Sequence, residues 1–217
     1  MSKPLLMIMS PRRIEPCLDA LNALDVDKVW LRNWNENELM KIIPQVIAEC
    51  DHDAIGLVSD DGLPTQDALD LILSAYEPEA VYTGYCNLDN TTDTVNIASE
   101  PLIIQEEATV DCYPLVSRAI VDEYPEPLMR SYFAGFALTF MSREMWERYP
   151  FVAYGHPGCQ SDYQLCKRLQ ADEVPIWAVR GAFFEHLKGG DTTTRHLSGG
   201  EVRAGGNQGT IEWDLRG

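Results

Sequence analysis

A chain of 217 residues, 45% of them hydrophobic, is long enough to bury a substantial core and ordinary in size for one α/β unit. Its formal net charge of −17 disfavours any broad, sequence-independent grip on nucleic acid or on an anionic membrane. No apolar run approaches the roughly 20 residues that cross a bilayer, and the apolar part of "MSKPLLMIMSPRR" is too short for a secretion signal. A cytoplasmic protein with no membrane partner is expected.

The first strand is predicted at "LLMIM" (5–9) and the first helix at "IEPCLDALNAL" (14–24), whose apolar residues recur at helical spacing. A strand at "KVWL" (28–31) precedes a helix over 36–50 that tolerates or kinks at Pro44. "AIGLV" (54–58) reads as a third strand, 65–76 as a helix capped by Thr65, and "AVYTGY" (80–85) as a fourth strand. Strands alternating with helices predict a central, mostly parallel sheet flanked by helices. Residues 87–112, rich in Asn, Thr and Asp, predict a hairpin or irregular excursion, a small β element beside the sheet. A helix around 113–122, the Pro-rich turn "YPEPL", and a strand running into a helix capped at Ser142 within 132–149 follow. The last expected elements are a helix over 161–171, capped by Ser161, and a strand at "PIWAV" (175–179). The Gly- and Thr-rich stretch 189–217 has little periodicity and reads as a mobile loop or tail, so 1–188 forms one domain.

The six cysteines are scattered without a CxxC pair and read as buried, reduced thiols. His156, Cys159 and Cys166 match no familiar zinc spacing. The informative stretch is "IGLVSDDGLPTQDALDLI" (55–72), which sets Ser59, Asp60 and Asp61 where a buried strand ends. In an open parallel sheet, ligands collect beyond the carboxyl ends of strands. Two adjacent carboxylates there suit a hard divalent cation such as Mg²⁺ or Mn²⁺. Asp-Asp-Gly is equally ordinary turn chemistry, and this stretch alone does not decide between the two.

Four segments in order carry a resemblance: "LLMIMSPRR", "IGLVSDDGLPTQDAL", "YFAGFALTFMSREMWERYPF" and "GCQSDYQLCKRLQADEVPIWAVRGAFFEH". Together they resemble the GT-A-type nucleotide-sugar glycosyltransferases, particularly the inverting, family-2-like group with a Rossmann-like donor half. The resemblance spans roughly residues 3 to 188. It implies a nucleotide-binding half over about 1–86 and an acceptor half over about 87–188. The activity implied is metal-dependent, hexosyltransferase-like transfer of a sugar, with inversion, from a nucleotide-sugar to a soluble hydroxyl acceptor. A UDP-sugar is the expected donor; the acceptor is a small molecule, a glycan, a protein or a modified nucleobase.

The resemblance also assigns roles. Pro11, Arg12 and Arg13, after the first strand, receive the nucleotide. Asp60 takes the position that tends to face the ribose. Asp61 takes the metal-binding position, and His186 completes the coordination of Mn²⁺ or Mg²⁺. Asp162, opening a helix, is the base that accepts the acceptor's proton. An acid there also complements the helix dipole irrespective of catalysis. Lys188 could touch a phosphate, Trp34 a sugar, His156 the acceptor, and 189–200 with Arg195 and His196 could form a lid. Two departures stand out: Ser59 replaces the first acid of the usual Asp-x-Asp, and Ser161 precedes Asp162 where relatives often carry Glu. They leave open a different class of function, a non-catalytic sugar- or nucleotide-binding module on a degenerate version of this fold.

Overall fold

The computed structural model describes residues 3–10, 14–32, 36–88, 92–101, 114–151, 161–187 and 215–216, with backbone only at 36–40, 161 and 215–216. Pro11, Arg12, Arg13, Trp34, His156, Cys159, Lys188, Arg195 and His196 lie outside the described residues.

The chain begins with β1 (Leu5–Met9), α1 (Glu15–Ala23), β2 (Asp27–Leu31), α2 (Glu36–Glu49), β3 (Ala54–Ser59), β4 (Gly62–Leu63), α3 (Gln66–Ala75) and β5 (Val81–Tyr85). It continues with β6 (Thr94–Ala98), β7 (Leu115–Ser117), α4 (Arg118–Asp122), β8 (Leu128–Ser131), β9 (Thr139–Ser142) and α5 (Arg143–Arg148). The last elements are α6 (Ser161–Ala171), β10 (Ile176–Phe183), β11 (Glu185–His186) and β12 (Leu215–Arg216).

Eight strands form the main sheet in the order β12-β2-β1-β3-β9-β5-β10-β8. β2, β1, β3, β5 and β10 run one way; β9 is inserted antiparallel between β3 and β5, and the edge strands β8 and β12 are also antiparallel. The expected mixed α/β architecture with a central, mostly parallel sheet and flanking helices is therefore observed. Every residue of β1 is buried because helices cover both faces. Leu5, Met7 and Met9 pack with Ile43, Val46 and Ile47 of α2, Trp146 of α5 and Leu165 of α6. Leu6 and Ile8, pointing the other way, pack with Leu21 of α1 and Leu69 and Ile72 of α3. Each such aliphatic side chain contributes about 2 kcal/mol by leaving water.

Local chemistry sets several boundaries as the sequence predicts. Thr65 accepts from the Ala68 amide at 3.2 Å to start α3, and Ser142 accepts from the Met145 amide at 3.2 Å to start α5. Pro44 sits inside α2, which continues through it. Other expectations need correction. The helix expected from 113 begins only at Arg118, because Leu115–Ser117 stay extended and pair with β6. The strand expected within 132–149 is confined to Thr139–Ser142; Leu138 takes a positive φ of 54° immediately before it. β8, which follows directly on the Pro-rich turn, was not expected, and it pairs with β10 along an alternating burial pattern. In the expected tail, Leu215 and Arg216 pair with Val29 and Lys28 of β2.

α2 ends without a basic residue in its last turn, and Arg143 supplies the cation from elsewhere. Its guanidinium donates to the Ile47 carbonyl at 3.1 Å, to the His52 carbonyl at 3.3 Å and to the Cys50 carbonyl. A planar fork reaching three carbonyls cannot be reproduced by an ammonium group. Arg143→Ala is therefore expected to lower stability to urea by about 2 to 3 kcal/mol, and Arg143→Lys to recover less than half of that loss. Equal recovery by lysine in equilibrium unfolding would show that charge alone matters at this junction.

Candidate functional site

The site is built where β3 ends. The Ser59 amide donates to the Phe136 carbonyl at 3.2 Å and the Asp60 amide to the Met9 carbonyl at 3.0 Å, so three segments meet beyond the carboxyl ends of β1 and β3. The two adjacent acids then go different ways. Asp60 is fully buried, and its Oδ2 accepts from the Ser10 hydroxyl at 3.0 Å. Ser10 is itself fixed, its amide donating to the Leu31 carbonyl at 2.8 Å. The Asp60 side chain, expected to face a ribose, thus has no exposed surface in this structure.

Asp61 is brought to His186. Directly after it, Gly62 and Leu63 of β4 pair antiparallel with His186 and Glu185 of β11. The Leu187 amide donates to the Asp61 carbonyl at 2.7 Å. This short ladder sets Nε2 of His186 3.0 Å from Oδ2 of Asp61, with both side chains largely buried. Phe184 sets the approach. A Cβ on Gly62 would stand 2.7 Å from its ring, so glycine is required at the residue that follows the acid.

The other imidazole nitrogen, Nδ1, lies 2.9 Å from the Asn87 carbonyl. A carbonyl only accepts, so Nδ1 carries a proton, and Nε2, which faces Asp61, is the nitrogen that could ligate a cation on giving up its own proton. An oxygen donor and an imidazole nitrogen, with the far nitrogen held by a carbonyl, fit a divalent transition ion such as Mn²⁺. Among the described residues no group of three or more His, Cys, Asp or Glu side chains is arranged to hold a metal. Among the described residues, Asp61 and His186 are the pair that could contribute to such a site; Mg²⁺ and Mn²⁺ commonly take further ligands from phosphate oxygens and water.

Burial pulls the His186 pKa down, but the hydrogen bond with Asp61 and the adjacent Cys86 side chain outweigh it, carrying the group up to about 10. Cys86, read from the sequence only as a buried thiol, is thus a neighbour of the site. Ser10, Asn87 and Phe184 were also missed. Ser10 had a signal, since it stands directly after β1 as Asp60 stands after β3. Asn87 acts through its backbone, which side-chain patterns do not report.

Asp162 lies in the first turn of α6, where its Oδ1 accepts from the Tyr163 amide at 2.7 Å. One turn on, Cys166 accepts through Sγ from the Ala134 amide at 3.3 Å, and Leu165 and Cys166 share a core with Phe133 and Ala134. That segment leads into Phe136, whose carbonyl holds Ser59. α6 is therefore anchored to the same loop that anchors the end of β3.

No protein-family model and no curated protein sequence matches the chain. Solved structures do. A197 from STIV superposes with a TM-score of 0.53 at 15% identity, over 82% of each chain. GalNAc-T7, solved with UDP, GalNAc and Mn²⁺, superposes with a TM-score of 0.50 at 10% identity, over 92% of this chain. The fold is GT-A-like. At these identities the likeness concerns architecture, and the chain covers only 48% of the GalNAc-T7 chain.

The electrostatics of the pair give a pH test on metal-free protein. His186 folds with a pKa of about 10, above the ordinary 6.5. Its contribution to stability is complete below about pH 6.5 and is lost as pH rises through about 10. With chelator present, the melting temperature of the wild type should fall more steeply between pH 7 and 10 than that of His186→Gln. The excess should be about 2 to 4 °C for each kcal/mol lost. Parallel slopes would contradict the Asp61–His186 ion pair.

Proposed function

We propose that this protein is a metal-dependent glycosyltransferase that moves a sugar, with inversion, from a nucleotide-sugar to a soluble hydroxyl acceptor. The observation that carries the reading is the 3.0 Å approach of Asp61 and His186 at the carboxyl end of a central strand. A GT-A-like fold supports it, as does a structural neighbour solved with UDP, GalNAc and Mn²⁺.

In this reading Asp61 and His186 hold Mn²⁺ or Mg²⁺. The ion, when bound, neutralises the charge that develops on a departing nucleoside diphosphate. It also lets a molecule of net charge −17 receive an anionic donor. Asp60, bonded to Ser10, ties the ends of β1 and β3 together, and Pro11, Arg12 and Arg13, next in the sequence after Ser10, are the residues we assign to the nucleotide. A UDP-sugar is the donor we assign. Asp162 takes the proton of the acceptor hydroxyl as that oxygen attacks the anomeric carbon. Asp162 stands in the first turn of α6, its Oδ1 accepting from the Tyr163 amide, where a negative charge complements the helix dipole. The acceptor is a small molecule, a glycan, a protein or a modified nucleobase, with extended polyanions disfavoured by charge. Among the described residues Cys17, Cys50, Cys86 and Cys166 are buried and outside any disulfide, in keeping with the reducing, cytoplasmic setting we propose.

The test combines binding with turnover. UDP and UDP-sugars should raise the melting temperature in Mn²⁺ but not in chelator, and Asp61→Ala should abolish that rise. Donor hydrolysis should fall by about 100-fold or more in Asp162→Ala while the donor-induced stabilisation persists. Metal-dependent donor binding by the wild type with no turnover would favour the non-catalytic module. Stabilisation indifferent to metal and to Asp61 would contradict the site.

A further inference from the structure

The imidazole of His186 is only as well placed as the carbonyl that holds its Nδ1, and that carbonyl belongs to a residue just past the end of β5. Among the described residues, the turn after β5 is held by backbone hydrogen bonds together with the Asn96 side chain. The Cys86 amide donates to Oδ1 of Asn96 at 2.8 Å, and the Asn96 amide donates back to the Cys86 carbonyl at 3.2 Å. The flanking contacts extend the same clasp: Asn87 bridges to Val95, and the Leu88 amide donates to the Thr94 carbonyl at 2.9 Å.

We propose that Asn96 is a positioning residue for His186, its carboxamide fixing the Cys86–Asn87 turn so that the Asn87 carbonyl holds Nδ1–H and Nε2 faces Asp61. The metal-binding part of this inference rests on the function proposed above; the positioning of the imidazole does not.

The chemistry of Asn96 itself favours this role over simple packing. The residue is 4% exposed, on a strand whose neighbours Val95 and Ile97 are fully buried and apolar. Its Nδ2 is buried and has no hydrogen-bond partner among the described residues. Burying an amide with half its capacity unused is unfavourable compared with burying an aliphatic side chain. The half that is used makes the link to Cys86. Gly135 leaves room for the unused half, since a Cβ there would stand 2.9 Å from Nδ2. Residue 135 precedes Phe136, whose carbonyl holds Ser59 at the end of β3. Asn96 therefore packs between the turn that aims His186 and the loop that holds the strand bearing the acids. A shift of this side chain would be felt first at the imidazole, through three consecutive links: Oδ1 to the Cys86 amide, the peptide to Asn87, and the Asn87 carbonyl to Nδ1.

The experiment uses the full chain, labelled with ¹⁵N in its imidazoles and kept in chelator, so that no metal is needed for the primary readout. The Nδ1–H resonance of His186 is assigned by its loss in His186→Gln, and its exchange with solvent is measured. Asn96→Ala should accelerate that exchange about tenfold or more, while Asn96→Asp, which keeps an acceptor for the Cys86 amide, should stay within about threefold of the wild type. If Asn96→Ala does not fold, Asn96→Ser replaces it, its hydroxyl being too short to span the same gap. Backbone amides of β1 serve as the reference. Unchanged Nδ1–H exchange in the Ala or Ser variant would overturn the inference, and so would equal acceleration throughout β1, which marks general loosening. A Mn²⁺ titration followed by electron paramagnetic resonance then separates the two readings. Loss of affinity by about tenfold in Asn96→Ala, with recovery in Asn96→Asp, extends the positioning role to the metal. A wild type that takes up no Mn²⁺ removes the metal site, and the imidazole exchange still decides the role of Asn96.

Discussion

Two residue pairs of antiparallel ladder, Gly62–Leu63 against Glu185–His186, join the end of a central strand to a segment from late in the chain. The rest of the site depends on that contact. Without it Asp61 would be one acid in a corner of the backbone and His186 a polar residue after a strand. The contact forms because residue 62 has no side chain and the Phe184 ring can lie against its backbone. The Leu187 amide then reaches the Asp61 carbonyl, and Nε2 of the histidine comes to 3.0 Å from the carboxylate. A buried acid beside a buried imidazole is costly unless each has a partner. Here each is the other's partner, and the Asn87 carbonyl satisfies the remaining ring nitrogen.

The doubled acids acquire separate duties from the way the chain turns after β3. Asp60 ties the ends of β1 and β3 through Ser10 and is lost to solvent. Asp61, also buried, turns to the histidine. A molecule so strongly acidic has few ways to hold an anionic ligand. A divalent ion on this pair is the most economical of them, since it reverses the local sign of charge without altering the surface elsewhere.

Much of this was legible in the sequence because the signals were local. The apolar run of β1, the helical spacing in α1 and the caps Thr65 and Ser142 act within a few residues, and the folded chain uses them as read. The fold class followed from the alternation of such pieces. What was not legible depends on distant partners. β4 and β11 are each two residues long and exist only because they pair. β7 is extended because β6 lies beside it, although its sequence continues smoothly into α4. β8 follows a Pro-rich turn and owes its conformation to the edge of β10. In the site, the types and order of Asp61, His186 and Asp162 suggested roles. The inward turn of Asp60, the hold of Asn87 on the imidazole and the clasp of Asn96 are backbone or long-range effects that no spacing reveals.

The central proposal is that Asp61 and His186 would together hold one divalent ion for a nucleoside diphosphate. Diffraction from crystals soaked in Mn²⁺ and UDP, recorded at the manganese absorption edge, tests it most directly. The account predicts one anomalous peak in coordinating contact with Oδ of Asp61, Nε2 of His186 and a diphosphate oxygen. A peak elsewhere, or bound UDP with the Asp61–His186 ion pair intact and no manganese beside it, would contradict it.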